Sequence, residues 1–192
     1  YTPGTWEYTY HIAHKNGWMF GLPLQSRTGW GYLYNSKITS QLEAQDDVSK
    51  ILEEYQIEFH SNDCREFSFK NYYAKSIVNE DGNIFVNGNR ALFLEPIQAT
   101  SLGCYGLIND LIINSIENKH YDHEKYTNVM DEVIKFINLH YYNGSNYDTP
   151  FWNMAQEGAR EVLDGINPAE YNWKYVIDWT PQFRQKMFES FL

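Results

Sequence analysis

Basic charge is scarce in this sequence. Lys and Arg number 15 against 25 Asp and Glu in 192 residues, a formal net charge of −10. Nucleic-acid binding needs a basic face for the phosphates, and no basic run is present, so that class of partner is disfavoured. An anionic membrane surface is disfavoured for the same reason. No apolar run approaches the roughly 18 residues that a membrane-crossing helix requires. Cysteine is scarcer still. Cys64 and Cys104 offer at most one bridge and have no histidines at metal-ligand spacing, which points to a reducing, cytoplasmic setting. A signal peptide is also missing, although the chain opens at Tyr1 rather than Met.

Aromatic residues, by contrast, make up 17% of the chain, with 16 Tyr, 11 Phe and 6 Trp. Such side chains combine a flat apolar face with a polar handle, suiting a pocket for an aromatic ligand, a protein interface or a large mixed core. Composition alone leaves these three open.

The N-terminal part, 1–17, has no clean period and is read as an irregular lead-in. Trp18 to Leu24 is a short strand signal put on an edge by Pro23, followed by a turn and a returning strand over 30–35. Ser40 with Glu43 spells a capping box, and Val48, Ile51, Leu52 and Tyr55 supply one apolar helix face. Phe67 to Ile77 and Ile84 to Val86 are strand candidates around an Asn79-to-Gly82 turn. Beyond Thr100, Leu102, Tyr105, Ile108, Ile112 and Ile116 have helical spacing, widened by Leu107 and Leu111. A third helix is expected over 123–142, stopped by Asn143-Gly144, and a fourth begins at Thr149-Pro150. The tail from Pro168 is aromatic-rich, with a further helix expected over 181–191. The fold class is therefore α+β: a strand-rich part with one helix over 1–98, then a helical part over 99–192. Too few strands are present for a complete doubly wound sheet.

The densest signal runs from Gly88 to Leu102, where a strand enters a loop bracketed by Gly and Pro and a helix starts at Thr100 or Ser101. Backbone amides at a helix start attract anions, although a Ser/Thr-capped joint has the same local pattern. His11 with His14, and His120 with His123, have a spacing compatible with a metal. Neither pair has a third ligand nearby, so no metal is expected. His140 reads as a hydrogen-bonded core histidine.

Phe93-Leu-Glu-Pro-Ile-Gln-Ala-Thr100 resembles the conserved loop of flavin-dependent halogenases of the tryptophan-halogenase type. Gly17-Trp-Met-Phe-Gly-Leu-Pro-Leu24, with Arg27 and Gly29 to Lys37 behind it, resembles that family's WxWxIP region. Leu139-His-Tyr141 and Asp148-Thr-Pro-Phe-Trp152 are similar to a third block. The three occur in the family's order over roughly 8–155.

This resemblance implies the substrate-side part of an FAD-dependent monooxygenase-like fold. Hypohalous acid, made from reduced flavin, oxygen and halide, would travel through a short tunnel to an electron-rich aromatic ring. A separate flavin reductase would supply the reduced FAD, and a homodimer is left open. Gly88, Asn89, Phe93 and Pro96 would contact the flavin, and Thr100 and Ser101 the halide. Trp18, Phe20 and Pro23 would form the barrier between flavin and substrate, and Phe151 and Trp152 would line the substrate cavity. Gln98 occupies the position where tryptophan-acting members carry a glutamate. A neutral amide can orient the electrophile but is a poor proton acceptor. An electron-rich aromatic other than free tryptophan is accordingly expected. Ala99 and Ser101 replace the family's Ser and Gly. Glu95 matches a different family position, and a capping or loop-fixing role is expected of it. The family's GxGxxG and catalytic lysine are not among these residues, since Lys15 and Lys37 lie in other contexts. The 192 residues alone are therefore expected to hold flavin weakly and to be catalytically silent. Two alternatives stay open: an FAD-dependent aromatic monooxygenase of related fold, and a non-catalytic interaction fragment.

Overall fold

The computed structural model describes residues 9–57 and 64–166. Three antiparallel strands in consecutive order open the chain: β1 (Tyr10–His14), β2 (Gly17–Pro23) and β3 (Thr28–Tyr34). The register sets His11 opposite Phe20 and Ala13 opposite Trp18, with Phe20 facing Gly31 and Trp18 facing Leu33. Because side chains alternate across a strand, Trp18, Phe20, Ala13 and Leu33 share one face, packed on the main core. Met19, Ile12, Trp30 and Tyr32 share the other, packed on Val48, Ile51 and Leu52 of α1 (Gln41–Glu54). β1 lies where an irregular lead-in was expected. Both its faces are covered, so it has none of the polar-apolar alternation by which a half-exposed strand announces itself.

Local signals placed the helices well. The Ser40–Glu43 capping box forms at the start of α1, with the Ser40 hydroxyl accepting from the Glu43 amide and the Ser40 amide donating to the Glu43 carboxylate. Val48, Ile51 and Leu52 pack inward as expected, whereas Tyr55 stays exposed. α3 (His123–Tyr142) has the predicted limits and buries Tyr126, Val133 and Ile137. Gly144 follows it where a Cβ would lie 2.0 Å from the His140 carbonyl oxygen, so this stop requires glycine. α4 (Pro150–Val162) begins with Pro in its first turn.

Two expectations need correction. The stretches 67–77 and 84–86 yield only β4 (Tyr72–Tyr73), which pairs with β5 (Leu92–Phe93), and one bridge between Val78 and Phe85. Asn79 organises the turn between them instead, its side-chain oxygen accepting from the amides of Asn83 and Ile84. In α2 (Thr100–Asn118) the buried face is Thr100, Gly103, Cys104, Ile108, Leu111 and Ser115, while Leu102 and Ile116 are exposed. That helix is apolar around most of its circumference, so spacing alone did not specify which stripe turns inward. The expected helix over 181–191 lies outside the described residues.

Candidate functional site

The loop from Leu94 to Ser101 is held in an unusual backbone state. Gln98 (φ 54°) and Ala99 (φ 52°) are consecutive left-handed residues, neither a glycine. Each such residue costs on the order of 1–3 kcal/mol and persists only where its surroundings over-determine it. Here they do. The Ala99 amide donates to the Pro96 carbonyl (3.1 Å), and the Thr100 amide and hydroxyl both turn to the Ile97 carbonyl, the latter at 2.6 Å. The Ser101 hydroxyl closes the other side, accepting from the Leu94 amide (3.1 Å) and donating to the Leu94 carbonyl (3.3 Å). The expected side-chain cap on α2 is thus absent. Ala99 is the residue at the cap, and Thr100 and Ser101 fold back on the loop. Ser101, where the family has glycine, staples the turn. Of the two halide candidates, Thr100 already has its amide committed to Ile97.

The strained loop meets the aromatic face of the sheet. The Gln98 backbone amide points at His11 Nε2, 3.5 Å away at the limit of a hydrogen bond. The His11 ring lies 5.5 Å from Trp18, and Trp18 lies 6.1 Å from Phe20. Trp18 is only 3% exposed. Space for Phe20 comes from the facing strand: a Cβ at Gly31 would fall 2.3 Å from Phe20 Cζ. Pro23 lies apart from this layer, at the last position of β2 opposite Thr28.

A buried polar chain fixes the Trp18 ring. Its Nε1–H donates to the Tyr141 hydroxyl at 2.8 Å, across 123 residues of sequence. Tyr141 in turn faces the Glu95 carboxylate, whose Oε2 accepts from Asn71 at 3.2 Å. Glu95 Oε1 completes no hydrogen bond of normal geometry and is sealed from solvent. Burial pushes the Glu95 carboxyl above the ordinary carboxylate range, opposed by Tyr141 and then Asn71. Burial and the adjacent Glu95 also hold the Tyr141 phenol well above its ordinary value. Glu95 thus connects the loop to β2 through Tyr141 and Trp18.

A second polar cluster lies on the opposite face of the sheet. Asp47, 1% exposed on α1, accepts from the Tyr32 hydroxyl (2.7 Å) and the Asn16 amide (2.9 Å) and lies 3.2 Å from His14 Nδ1. Burial raises its carboxyl, but these three partners together outweigh burial and hold it below the ordinary range. His11 and His14 consequently sit on opposite faces of β1, an arrangement unsuited to sharing a metal. Among the described residues no group of three or more His, Cys, Asp or Glu is placed to hold a metal ion. No helix among them is long and apolar enough to cross a membrane.

Phe151 and Trp152 are each 3% exposed. They stack edge-to-face at 5.1 Å; Trp152 lies 6.2 Å from Tyr141 and donates to the His14 carbonyl at 2.7 Å. In this structure they are core side chains rather than an open cavity wall. His140 directs Nδ1 at the Phe136 carbonyl (2.9 Å), the bonded core histidine expected. On the flavin-side candidates, Gly88 is left-handed (φ 62°) with nothing within 4 Å of where its Cβ would stand, and Asn89 is exposed. Asn89 borders a concavity of about 780 Å³, together with Tyr72, Ala74, Ile77, Val86 and Arg90. That groove does not reach Gln98 or Trp18. Phe93 packs on Phe69 at 5.1 Å, and Pro96 opens the 3-10 turn Ile97–Ala99.

The sequence model of the tryptophan halogenase family matches residues 3–173. This chain belongs to that family. The tryptophan 7-halogenase RebH of Lentzea aerocolonigenes is 26% identical over 174 residues, which is 84% of this chain and 32% of that protein. The tryptophan 6-halogenase SttH of Streptomyces toxytricini is 26% identical over 190 residues, 88% of this chain and 32% of its own length. The chain thus spans about a third of the length of the curated relatives it matches. A flavin-dependent halogenase from Xanthomonas campestris shares the fold with a TM-score of 0.60 at 24% identity, over 80% of this chain and 32% of that one. The α+β reading agrees with that likeness. Sequence reasoning missed the partners that build the site around Trp18 and Gln98. Tyr141 was noted only as part of the third resemblance block, Asn71 was not singled out, and His11 was weighed only as a metal ligand.

Proposed function

We propose that this chain is the substrate-side part of a flavin-dependent halogenase that acts on an electron-rich aromatic other than free tryptophan. The observation that carries the reading is the union of two family blocks more than 70 positions apart. The Trp18–Phe20 face is bound to the 95–101 loop through Tyr141–Glu95 on one side and His11–Gln98 on the other.

Reduced flavin, when bound, would supply with molecular oxygen the two-electron oxidation of halide to hypohalous acid. Gly88, with open space where a Cβ would stand, and Asn89, at the groove and held by the Tyr72 and Tyr105 hydroxyls, would contact the flavin together with Phe93 and Pro96. The chain's own residues then have distinct tasks. Trp18 and Phe20 keep substrate and water from the oxidant. Ser101 holds the first turn of α2, where Thr100 and Ser101 would take the halide, Thr100 by giving up its bond to Ile97. Gln98 would orient the electrophile by hydrogen bonding; it cannot act as a carboxylate base. A reductase delivering reduced FAD belongs to the same reading, as do a cytoplasmic setting and the division near residue 98 between a strand-rich and a helical part.

The test is a screen of the full-length protein with FAD, a flavin reductase and chloride, bromide, iodide or no added halide. Simple indoles, phenols and free tryptophan serve as substrates, and products are read by mass. Halogen-bearing products that require halide, with free tryptophan the poorer substrate, are expected. Hydroxylated products independent of halide would make the protein a monooxygenase instead.

A further inference from the structure

We propose that His11 is the base that removes the ring proton in this halogenation, an assignment that rests on the function proposed above. Electrophilic substitution on an aromatic ring ends with loss of a proton, and the amide of Gln98 is not a base near neutral pH. Besides the Tyr141 phenol, which is engaged by Trp18 and Glu95 and held well above its ordinary value, the side chains to weigh as bases near the Trp18 layer are Glu95, His140 and His11. Glu95 is 7% exposed and its carboxylate is already engaged by Asn71 and Tyr141. His140 has Nδ1 committed to the Phe136 carbonyl. His11 differs from both. It is half-buried, it sits on the Trp18–Phe20 face of β1, and its Nε2 accepts from the backbone amide of Gln98, not its side chain, at 3.5 Å.

That contact fixes the chemistry of the ring. A nitrogen that accepts from an amide carries the lone pair, so the proton of the neutral imidazole is on Nδ1. At 3.5 Å the bond is long enough to be exchanged for a better partner at little cost. The remaining neighbours do not charge the ring. From β2 come Trp18 and Phe20, from the loop Gln98, and from α3 His140, itself below its ordinary value through burial. Burial first, and His140 second, hold the His11 imidazole below 6.5. The free base therefore predominates at neutral pH, which suits a proton acceptor.

The step balances. The halogen of hypohalous acid bonds to the ring carbon, and the oxygen–halogen bond breaks with its electron pair leaving on hydroxide. His11 Nε2 takes the ring proton, and the carbon–hydrogen pair returns to the π system. The imidazolium passes its proton to hydroxide, giving water. The sum is aromatic C–H plus hypohalous acid to aromatic C–halogen plus water.

The experiment uses full-length protein with FAD, reductase and bromide, on whichever indole or phenol of the screen the parent halogenates. His11→Asn keeps a hydrogen-bonding side chain of similar size and removes the base. Its kcat is expected to fall about 100-fold with little change in KM, the scale of a lost general base. A primary isotope effect should appear with substrate deuterated at the reacting carbon, because proton loss becomes rate-limiting. His11→Asn/Gln98→Glu should recover at least about tenfold, since a carboxylate beside the same loop again offers a base. In 15N-histidine-labelled parent the His11 imidazole should titrate below 6.5, and the acid limb of kcat at that pH should vanish in His11→Asn. An unchanged kcat, or a loss of activity with neither isotope effect nor rescue, makes His11 structural and overturns the assignment. A parent that halogenates nothing in the screen overturns the function itself and this assignment with it.

Discussion

Removing one oxygen atom, in Tyr141→Phe, should expose how the Trp18 ring is held. Two buried groups depend on that hydroxyl: Trp18 Nε1–H, which donates to it at 2.8 Å, and the Glu95 carboxylate that it faces. Trp18 and Glu95 are 3% and 7% exposed, so water cannot readily replace the lost partner. An unsatisfied buried donor costs about 1–3 kcal/mol, and a bond to a charged group contributes about 1.5–3 kcal/mol. Because part of the second term is recovered when Glu95 takes up a proton, the expected destabilisation at neutral pH is about 2–4 kcal/mol. The assay is urea unfolding of the full-length protein followed by circular dichroism, with hydrogen exchange of the Trp18 indole N–H as a local readout. In a Trp18→Phe background, where the indole donor is already gone, the same change should cost about 1 kcal/mol less. A loss under about 0.5 kcal/mol, with no coupling to Trp18 and an indole proton as protected as in the parent, would refute the relay.

Three further changes follow from the same packing. Gly31→Ala places a Cβ 2.3 Å from Phe20 Cζ; it should cost about 1–3 kcal/mol in thermal or urea unfolding, much of it recovered in Gly31→Ala/Phe20→Ala. If Phe20 is part of the barrier, the single variant should also halogenate fewer substrate molecules per flavin oxidised. Asp47→Asn should destabilise by about 1–3 kcal/mol at neutral pH. The Asp47 carboxyl is depressed in the folded state, so its contribution is complete above the ordinary value of 3.8 and is lost as pH falls through the lower folded value. The variant's deficit should therefore shrink in acid, and a constant deficit across the pH range would contradict the hydrogen-bond account. Glu95→Gln has the opposite sign. A raised carboxyl contributes fully below the ordinary 4.5 and loses that contribution as pH rises through the folded value, so the variant should lose the decline in stability above pH 4.5.

What the sequence made legible divides by the range of the interaction. The capping box at Ser40, the span of α3 and the Pro150 start of α4 are written within a few residues of each other and stand as expected, although the Thr149 hydroxyl donates to the Lys15 carbonyl instead of capping α4. β1 was invisible because both its faces are covered. The buried stripe of α2 was misjudged because Ile112, Ile113 and Ile116 spread apolar character beyond the side that packs. The site divides likewise. Trp18, Phe20 and the 93–101 loop were found through resemblance, which carries contiguous motifs. The Trp18–Tyr141 bond spans 123 residues and the His11–Gln98 contact spans 87. No local period encodes such pairs. Strain at Gln98 and Ala99 was hidden too, since neither is a residue that advertises a left-handed backbone.

The account's central claim is that the Trp18–Phe20 face separates the place where the oxidant is made from the place where the aromatic ring is substituted. A crystal structure of the full-length protein with FAD, bromide and a halogenated substrate from the screen tests it most directly, with bromide located by anomalous scattering. The account predicts the flavin against Gly88 and Asn89, bromide at the first turn of α2, and the substrate across the Trp18–Phe20 layer within reach of Gln98 and His11. Flavin and substrate in contact on the same side of that layer, or bromide remote from Thr100 and Ser101, would contradict it.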